Sequence, residues 1–267
     1  MRRLAVLLAI AVLPAASGLV VANAQTERAP TRVFRVTLAG ENESPAGDPV
    51  ATGAAVIRVR AGQPKICYQL AARDLSGPAA AAHIHRGVTG TSGPVLIPLR
   101  TPNTAGRASG CAKASRSLVR AILAHPSKYY VNVHTAEFPA GAIRAQLAGA
   151  RTVLGTILHL QLRGTSEPNA SGTAVLRIRK DAGLICYRLR VANVTLPTAA
   201  AHIHKGAAGV NGPVVVPLNA PGADGTSSGC ATAAAPLIAD ILANPAGYYV
   251  NVHTKEHPAG AIRAQLG

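Results

Sequence analysis

Six of the nine histidines in this 267-residue chain form two triplets of identical spacing: His83, His85 and His134, then His202, His204 and His253. Imidazole is a natural ligand for Zn²⁺ and Cu²⁺, so triplets invite a metal-centred reading. Ala82-His83-Ile84-His85 alternates as a strand would, and residues i and i+2 of a strand project from one face about 7 Å apart along the backbone. That spacing aims His83 and His85 at one point and turns Ile84 to the opposite side. In Tyr129-Tyr130-Val131-Asn132-Val133-His134, the same alternation puts Tyr130, Asn132 and His134 on one face. If the two strands are neighbours, three imidazoles converge and leave a coordination position for water, a carboxylate or substrate. Asn132 and Glu137, with Asn251 and Glu256 in the second copy, are candidates to orient the imidazoles or supply a fourth ligand. This reading predicts one divalent ion, Cu or Zn, per triplet and two per chain. The competing reading gives the same histidines hydrogen bonds to loop backbone and to Asn132, because duplication copies structural residues as faithfully as ligands. His125, His159 and His257 have no counterparts.

The triplets belong to a larger repeat. Tyr129–Thr135 recurs as Tyr248–Thr254, and Pro139–Leu147 recurs unchanged as Pro258–Leu266, each displaced by 119 residues. A period of that length is a domain and not a solenoid turn, so the chain reads as a tandem duplication with its boundary near Gly149. The domains expected are 30–149 and 150–267. Cys67, Cys111, Cys186 and Cys230 obey the same displacement; of the three possible pairings, the repeat selects Cys67–Cys111 and Cys186–Cys230. A cross-link closing such a loop is worth roughly 4 kcal/mol in the unfolded-chain entropy picture.

The elements that must carry these residues read as β. Thr31–Leu38 alternates apolar with polar, and Ala54–Arg60 and Lys65–Ala71 form a hairpin across Gly62 and Pro64. Ala81–Arg86, Pro94–Leu99, Lys128–Thr135 and Ala142–Leu147 complete about seven strands. One helix is predicted over Ser115–Ala124, with Leu118, Val119, Ile122 and Leu123 on one face, a serine cap and Pro126 as the stop. The fold class expected is mainly β: two tandem antiparallel sandwich-like or barrel-like domains, each with one short helix. Arg144 and Arg263 on the closing strands are expected to pair with a carboxylate. Arg58 and Arg60, like Arg177 and Arg179, read as a solvated sheet face.

Composition narrows the function. Apolar residues make up 48% of the chain and charged residues only 14%, so it has ample material for a core and is not a disordered polyelectrolyte. There is no Trp and only two Phe, which leaves few platforms for stacking single-stranded bases. A single Met excludes a thioether-rich copper(I) surface. No Gly-Lys-Ser/Thr phosphate loop, dinucleotide fingerprint or Gly-x-Ser-x-Gly elbow is present. Arg2 and Arg3, an apolar run from Leu4 to Val21, and Ala22-Asn23-Ala24 have the layout of a secretory signal peptide over residues 1–24. Export suits four half-cystines and predicts a secreted, periplasmic or cell-surface location, with no membrane span after cleavage. The formal charge of +16 falls to about +14 on cleavage, enough to attract anionic polymers in a salt-sensitive way.

Ala-His-Ile-His-x-Gly, then Gly-Pro-Val and Pro-Leu, then Tyr-Tyr-Val-Asn-Val-His-Thr and Pro-x-Gly-x-Ile-Arg, together resemble the CHRD domain, named from the secreted animal protein chordin. The resemblance covers about residues 32–148 and 153–267 and implies an extracellular sandwich-like module. The chain has Ile143-Arg144-Ala145 where many members have Ile-Arg-Gly, which argues against a bulge there. His-x-His with a later His is also similar to the copper ligands of copper–zinc superoxide dismutase, although the zinc-side cluster has no counterpart. Three functions follow as expectations. The first is an exported binding protein with one metal per domain. The second is a non-catalytic adhesive module for an extracellular protein or anionic surface polymer. The third is a copper-dependent redox enzyme. Specific nucleic-acid binding is not expected.

Overall fold

The computed structural model describes residues 31–149 and 152–267. The expected signal peptide, residues 1–24, lies outside them. Each repeat is an eight-stranded antiparallel sheet. The first contains β1 (Thr31–Ala39), β2 (Thr52–Arg60), β3 (Lys65–Arg73), β4 (Ala79–Arg86), β5 (Val95–Leu99), β6 (Arg107–Lys113), β7 (Tyr129–Thr135) and β8 (Ile143–Gln146). The helix α1 (Arg116–Ala124) sits between β6 and β7. The second unit repeats this as β9 (Thr156–Gly164), β10 (Ser171–Arg179), β11 (Leu184–Ala192), β12 (Ala200–Lys205), β13 (Val214–Leu218), β14 (Thr226–Thr232), α2 (Ala235–Ala243), β15 (Tyr248–His253) and β16 (Ile262–Gln265).

The strand order is β5-β4-β7-β8-β1-β2-β3-β6, repeated as β13-β12-β15-β16-β9-β10-β11-β14. The end strands β5 and β6 approach each other, as do β13 and β14, so each sheet curls into a nearly closed barrel. Curling hides the edges that a flat sheet would expose. Alternation does the rest: Phe34, Ile57, Ile66, Ile84, Val131 and Ile143 point inward and are buried. Ser115 caps α1 by accepting from the Leu118 N–H at 3.1 Å. Val119 and Ile122 then insert into the core, with Leu118 and Leu123 partly buried beside them. In α2 the cap position is Ala234, which cannot accept, and Pro236 in the first turn sets the start instead.

Two expectations are corrected. Each unit has eight strands, because β6 and β14, poor in β-branched residues, pair with β3 and β11. The disulfides Cys67–Cys111 and Cys186–Cys230 link directly opposed residues of these pairs. The second correction concerns the arginines. Arg58 and Arg60 are exposed as expected, but Arg177 is completely buried and Arg179 is half-buried. Arg177 donates to both oxygens of Glu41, at 2.8 and 2.9 Å, and Arg179 lies 3.1 Å from the same carboxylate. Arg188 bonds Asp48 at 2.6 Å, and Arg190 donates to the Ser76 carbonyl. These contacts join the outer face of β10 and β11 to the 40–48 loop and Asp74–Ser76 of the first unit. The joint is a polar seam, reinforced by Asn42 donating to Thr152 at 2.9 Å.

Candidate metal site

β4 and β7 are neighbours, with His83 opposite Asn132 and His85 opposite Tyr130. Ala82, Ile84, Val131 and Val133 take the inward positions, so the histidines stand on the outer face of the barrel. Two turns fold over them. The β5 approach, Gly87–Pro94, brings the Gly93 carbonyl to His85 Nδ1 at 2.9 Å. The β7–β8 turn brings the Pro139 carbonyl to His134 Nδ1 at 3.0 Å. A carbonyl only accepts, so each Nδ1 carries the proton and each Nε2 of the neutral ring presents a lone pair. His85 Nε2 is buried without a hydrogen-bond partner. His134 Nε2 lies 3.1 Å from His83 Nδ1. Two nitrogens bound tetrahedrally to one ion at 2.0–2.1 Å would lie about 3.3 Å apart, so this spacing suits shared coordination.

The second unit reproduces the arrangement. His204 Nδ1 donates to the Gly212 carbonyl at 2.9 Å, His253 Nδ1 donates to the Pro258 carbonyl at 3.0 Å, and His253 Nε2 lies 3.3 Å from His202 Nδ1. His204 Nε2 is likewise buried without a partner. In each triad, one ligand atom from every histidine lies within 4.8 Å of the others. Burial, reinforced by the neighbouring imidazoles, holds His83 and His134 below the usual imidazole range, and burial does the same for His85. His202 and His253 are lowered for the same reasons. Neutral imidazoles are what a metal requires.

The surroundings are built to hold the rings still. Tyr130 stacks on His85 at 4.7 Å, its hydroxyl accepts from the Gly93 N–H, and the Arg144 guanidinium lies 3.4 Å from its ring centre. Arg144, 1% exposed, donates to the Thr91 and Val88 carbonyls, both at 2.8 Å. The expected carboxylate ion pair is therefore replaced by bonds to the loop that covers His85. Arg263 stacks on Tyr249 and contacts the Ala207 and Val210 carbonyls at 3.4 Å. Gly93 permits the loop's close return: a Cβ there would lie 1.7 Å from the Arg86 carbonyl oxygen. The β7–β8 register is regular through Ala145, without a bulge.

The supporting residues divide. Asn132 is buried, and its amide lies 3.1 Å from His134 Nε2. Asn251 instead bonds the Ala259 carbonyl at 3.3 Å. Glu137 and Glu256 are exposed on the turns and do not belong to either group of convergent ligand atoms. The residue that sequence reasoning missed is Glu43, 7% exposed, with Oε1 lacking a hydrogen-bond partner beside Asn132 and Gly141. Burial pushes its carboxyl up to about 7 against the pull of Arg144 and Asn132. Its sequence trace is an insertion: Gly40 and Asp48 enclose a longer loop than their counterparts Gly164 and Glu167. The second triad borders a cleft of about 450 Å³ that Val214, Lys255 and Pro258 help to line.

The CHRD domain family model matches twice, over residues 34–147 and 158–266. The chain belongs to the CHRD domain family, as two tandem copies. No curated protein and no solved structure matches it. Among the described residues, no helix is long and apolar enough to cross a membrane.

Proposed function

We propose that this is an exported metal-holding protein in which each CHRD unit binds one divalent ion, zinc or copper. His83 Nδ1, His85 Nε2 and His134 Nε2 are the ligands in the first unit; His202 Nδ1, His204 Nε2 and His253 Nε2 repeat them in the second. The observation that carries the reading is the proton inventory. Two histidines of each triad spend Nδ1–H on a backbone carbonyl, and a proton on the third ring's Nδ1 serves only one of the two Nε2 lone pairs, which leaves His85 Nε2 and His204 Nε2 without a donor. A purely structural cluster would instead give each buried nitrogen its own partner, which His85 Nε2 and His204 Nε2 lack. Three imidazoles also leave one coordination position open, which supplies a Lewis-acid or one-electron centre when the ion is bound. The four half-cystines support the exported setting, because such bonds persist outside the cytosol.

Calorimetric titration of the chelator-treated chain with Zn²⁺ and Cu²⁺ tests the assignment. It should give two equivalents for the natural sequence and one for either His134→Ala or His253→Ala. Equal stoichiometry in all three proteins would return the histidines to a structural role.

A further inference from the structure

We propose that the outer face of β2, β3 and β6 is a docking surface for an acidic polypeptide segment. The molecule already contains one example of such docking. In the second unit, the outer face of β10 and β11 carries Arg177, Arg179 and Arg188, and it receives the acidic 40–48 loop through Glu41 and Asp48. The head-to-tail order of the repeats uses that face once and leaves its first-unit copy open. Arg58 and Arg60 occupy the places of Arg177 and Arg179, on strands with the same register to the disulfide: Arg58 opposite Cys67, Arg177 opposite Cys186. Both are exposed.

The open face is more basic than its buried copy at one row. Lys65 on β3 stands directly opposite Lys113 on β6, where the second unit pairs Leu184 with Thr232. Directly opposed like charges weaken a strand pair, and among the described residues neither lysine, nor Arg58 or Arg60, lies in a salt bridge. Charge is unequally divided as well. Residues 31–149 hold 14 Lys and Arg against 5 Asp and Glu, while residues 152–267 hold 9 against 5. Three of the first unit's five acids, Glu41, Asp48 and Asp74, face the second unit. A shallow groove of about 530 Å³, floored by Val56, Gln69 and Ser109 and edged by Arg107, runs on this same face and accommodates a peptide backbone beside the cations.

A second copy of the chain does not repeat the internal docking mode, because its 40–48 loop is already held by Arg177 and Arg188. The counterpart loop Gly164–Glu167 has no equivalent of Glu41, and Glu167 is engaged by Thr254 at 3.2 Å and lies 3.8 Å from His257. The occupant is therefore another molecule. The internal precedent, arginine forks on a loop glutamate, favours carboxylates on a polypeptide over phosphates on a polymer.

The test is fluorescence anisotropy of a labelled Glu-rich decapeptide with the full chain, treated with chelator so that the metal reading plays no part. R58Q/R60Q and K65Q/K113Q should each weaken binding about tenfold. R116Q/R120Q, which removes equal charge from exposed positions of α1, should leave it within about twofold. Three results would overturn the proposal: no binding by the natural chain, equal losses in all three variants, or tighter binding of polyphosphate of matched charge than of the peptide. Light scattering that shows the natural chain as a dimer, and the R58Q/R60Q variant as a monomer, would assign the face to self-association and overturn it too.

Discussion

Replacing Glu43 by Gln should stabilise the metal-free protein above neutrality and do little in acid. The carboxyl is 7% exposed, and one oxygen has no hydrogen-bond partner. Burial carries its pKa from the ordinary 4.5 to about 7. Between those values the folded chain keeps a proton that the unfolded chain has released, so stability falls as pH rises through that window. Below 4.5 both states are protonated and the contribution is complete; above 7 it is lost. The full displacement corresponds to about 3 kcal/mol. Gln keeps the size and the ability to donate and does not titrate. The difference in unfolding free energy between Glu43→Gln and the natural sequence should therefore grow by about 3 kcal/mol from pH 4.5 to pH 8. For a unit of this size that is roughly 10 °C in melting temperature. Urea unfolding with disulfides intact, at five pH values in chelator, measures the difference directly, and the histidines cancel because both proteins carry them. A difference that stays flat across the range would refute the reasoning, since Glu43 would then be ionised at no cost.

Glu41→Ala strips the carboxylate from fully buried Arg177 and should destabilise the seam by about 3 kcal/mol, visible as separation of one calorimetric transition into two. An unchanged single transition would mean the units are held by other contacts. Gly93→Ala places a Cβ against the Arg86 carbonyl and displaces the carbonyl that fixes His85. Metal affinity of the first unit should fall at least about tenfold, the usual cost of losing an orienting partner, while the second unit, titrated in the same protein, keeps its affinity. The lowered pKa values of His83, His85 and His134 keep these rings neutral below the ordinary imidazole range. Zn²⁺ affinity measured in competition with an indicator should therefore stay constant from pH 7.5 to 6.5 and drop only in more acid solution; a decline centred at 6.5 would place the imidazoles in water. The histidine contribution to the stability of the metal-free protein therefore falls as pH drops below 6.5, opposite in sign to that of Glu43.

Much of this molecule was legible in the sequence because its signals are local. Alternation located β1–β5, β7 and β8, a serine and a proline bracketed α1, and the displacement of 119 residues paired the cysteines. The imidazole convergence also followed from alternation once β4 and β7 were taken as neighbours. What was not legible depends on packing. The segment Arg107–Lys113 contains Gly, Ser and Ala and becomes a strand only through pairing with β3 and its disulfide. Arg58 and Arg177 share one local pattern, yet one is exposed and the other completely buried, because only the second meets Glu41. The sequence predicts a carboxylate partner for Arg144, whereas the loop it stands under offers carbonyls. Glu43 lies in an insertion with no periodicity, and comparing the two repeats was the only sequence route to it.

The central claim is that each triad holds a metal. The most direct measurement is metal content, by plasma mass spectrometry, of untagged protein purified from its natural host. The account predicts about two equivalents of zinc or copper per chain, falling to one in His83→Ala and to none in the His83→Ala, His202→Ala double variant. Protein that carries no metal, and whose melting temperature does not move on adding Zn²⁺ or Cu²⁺, would contradict it.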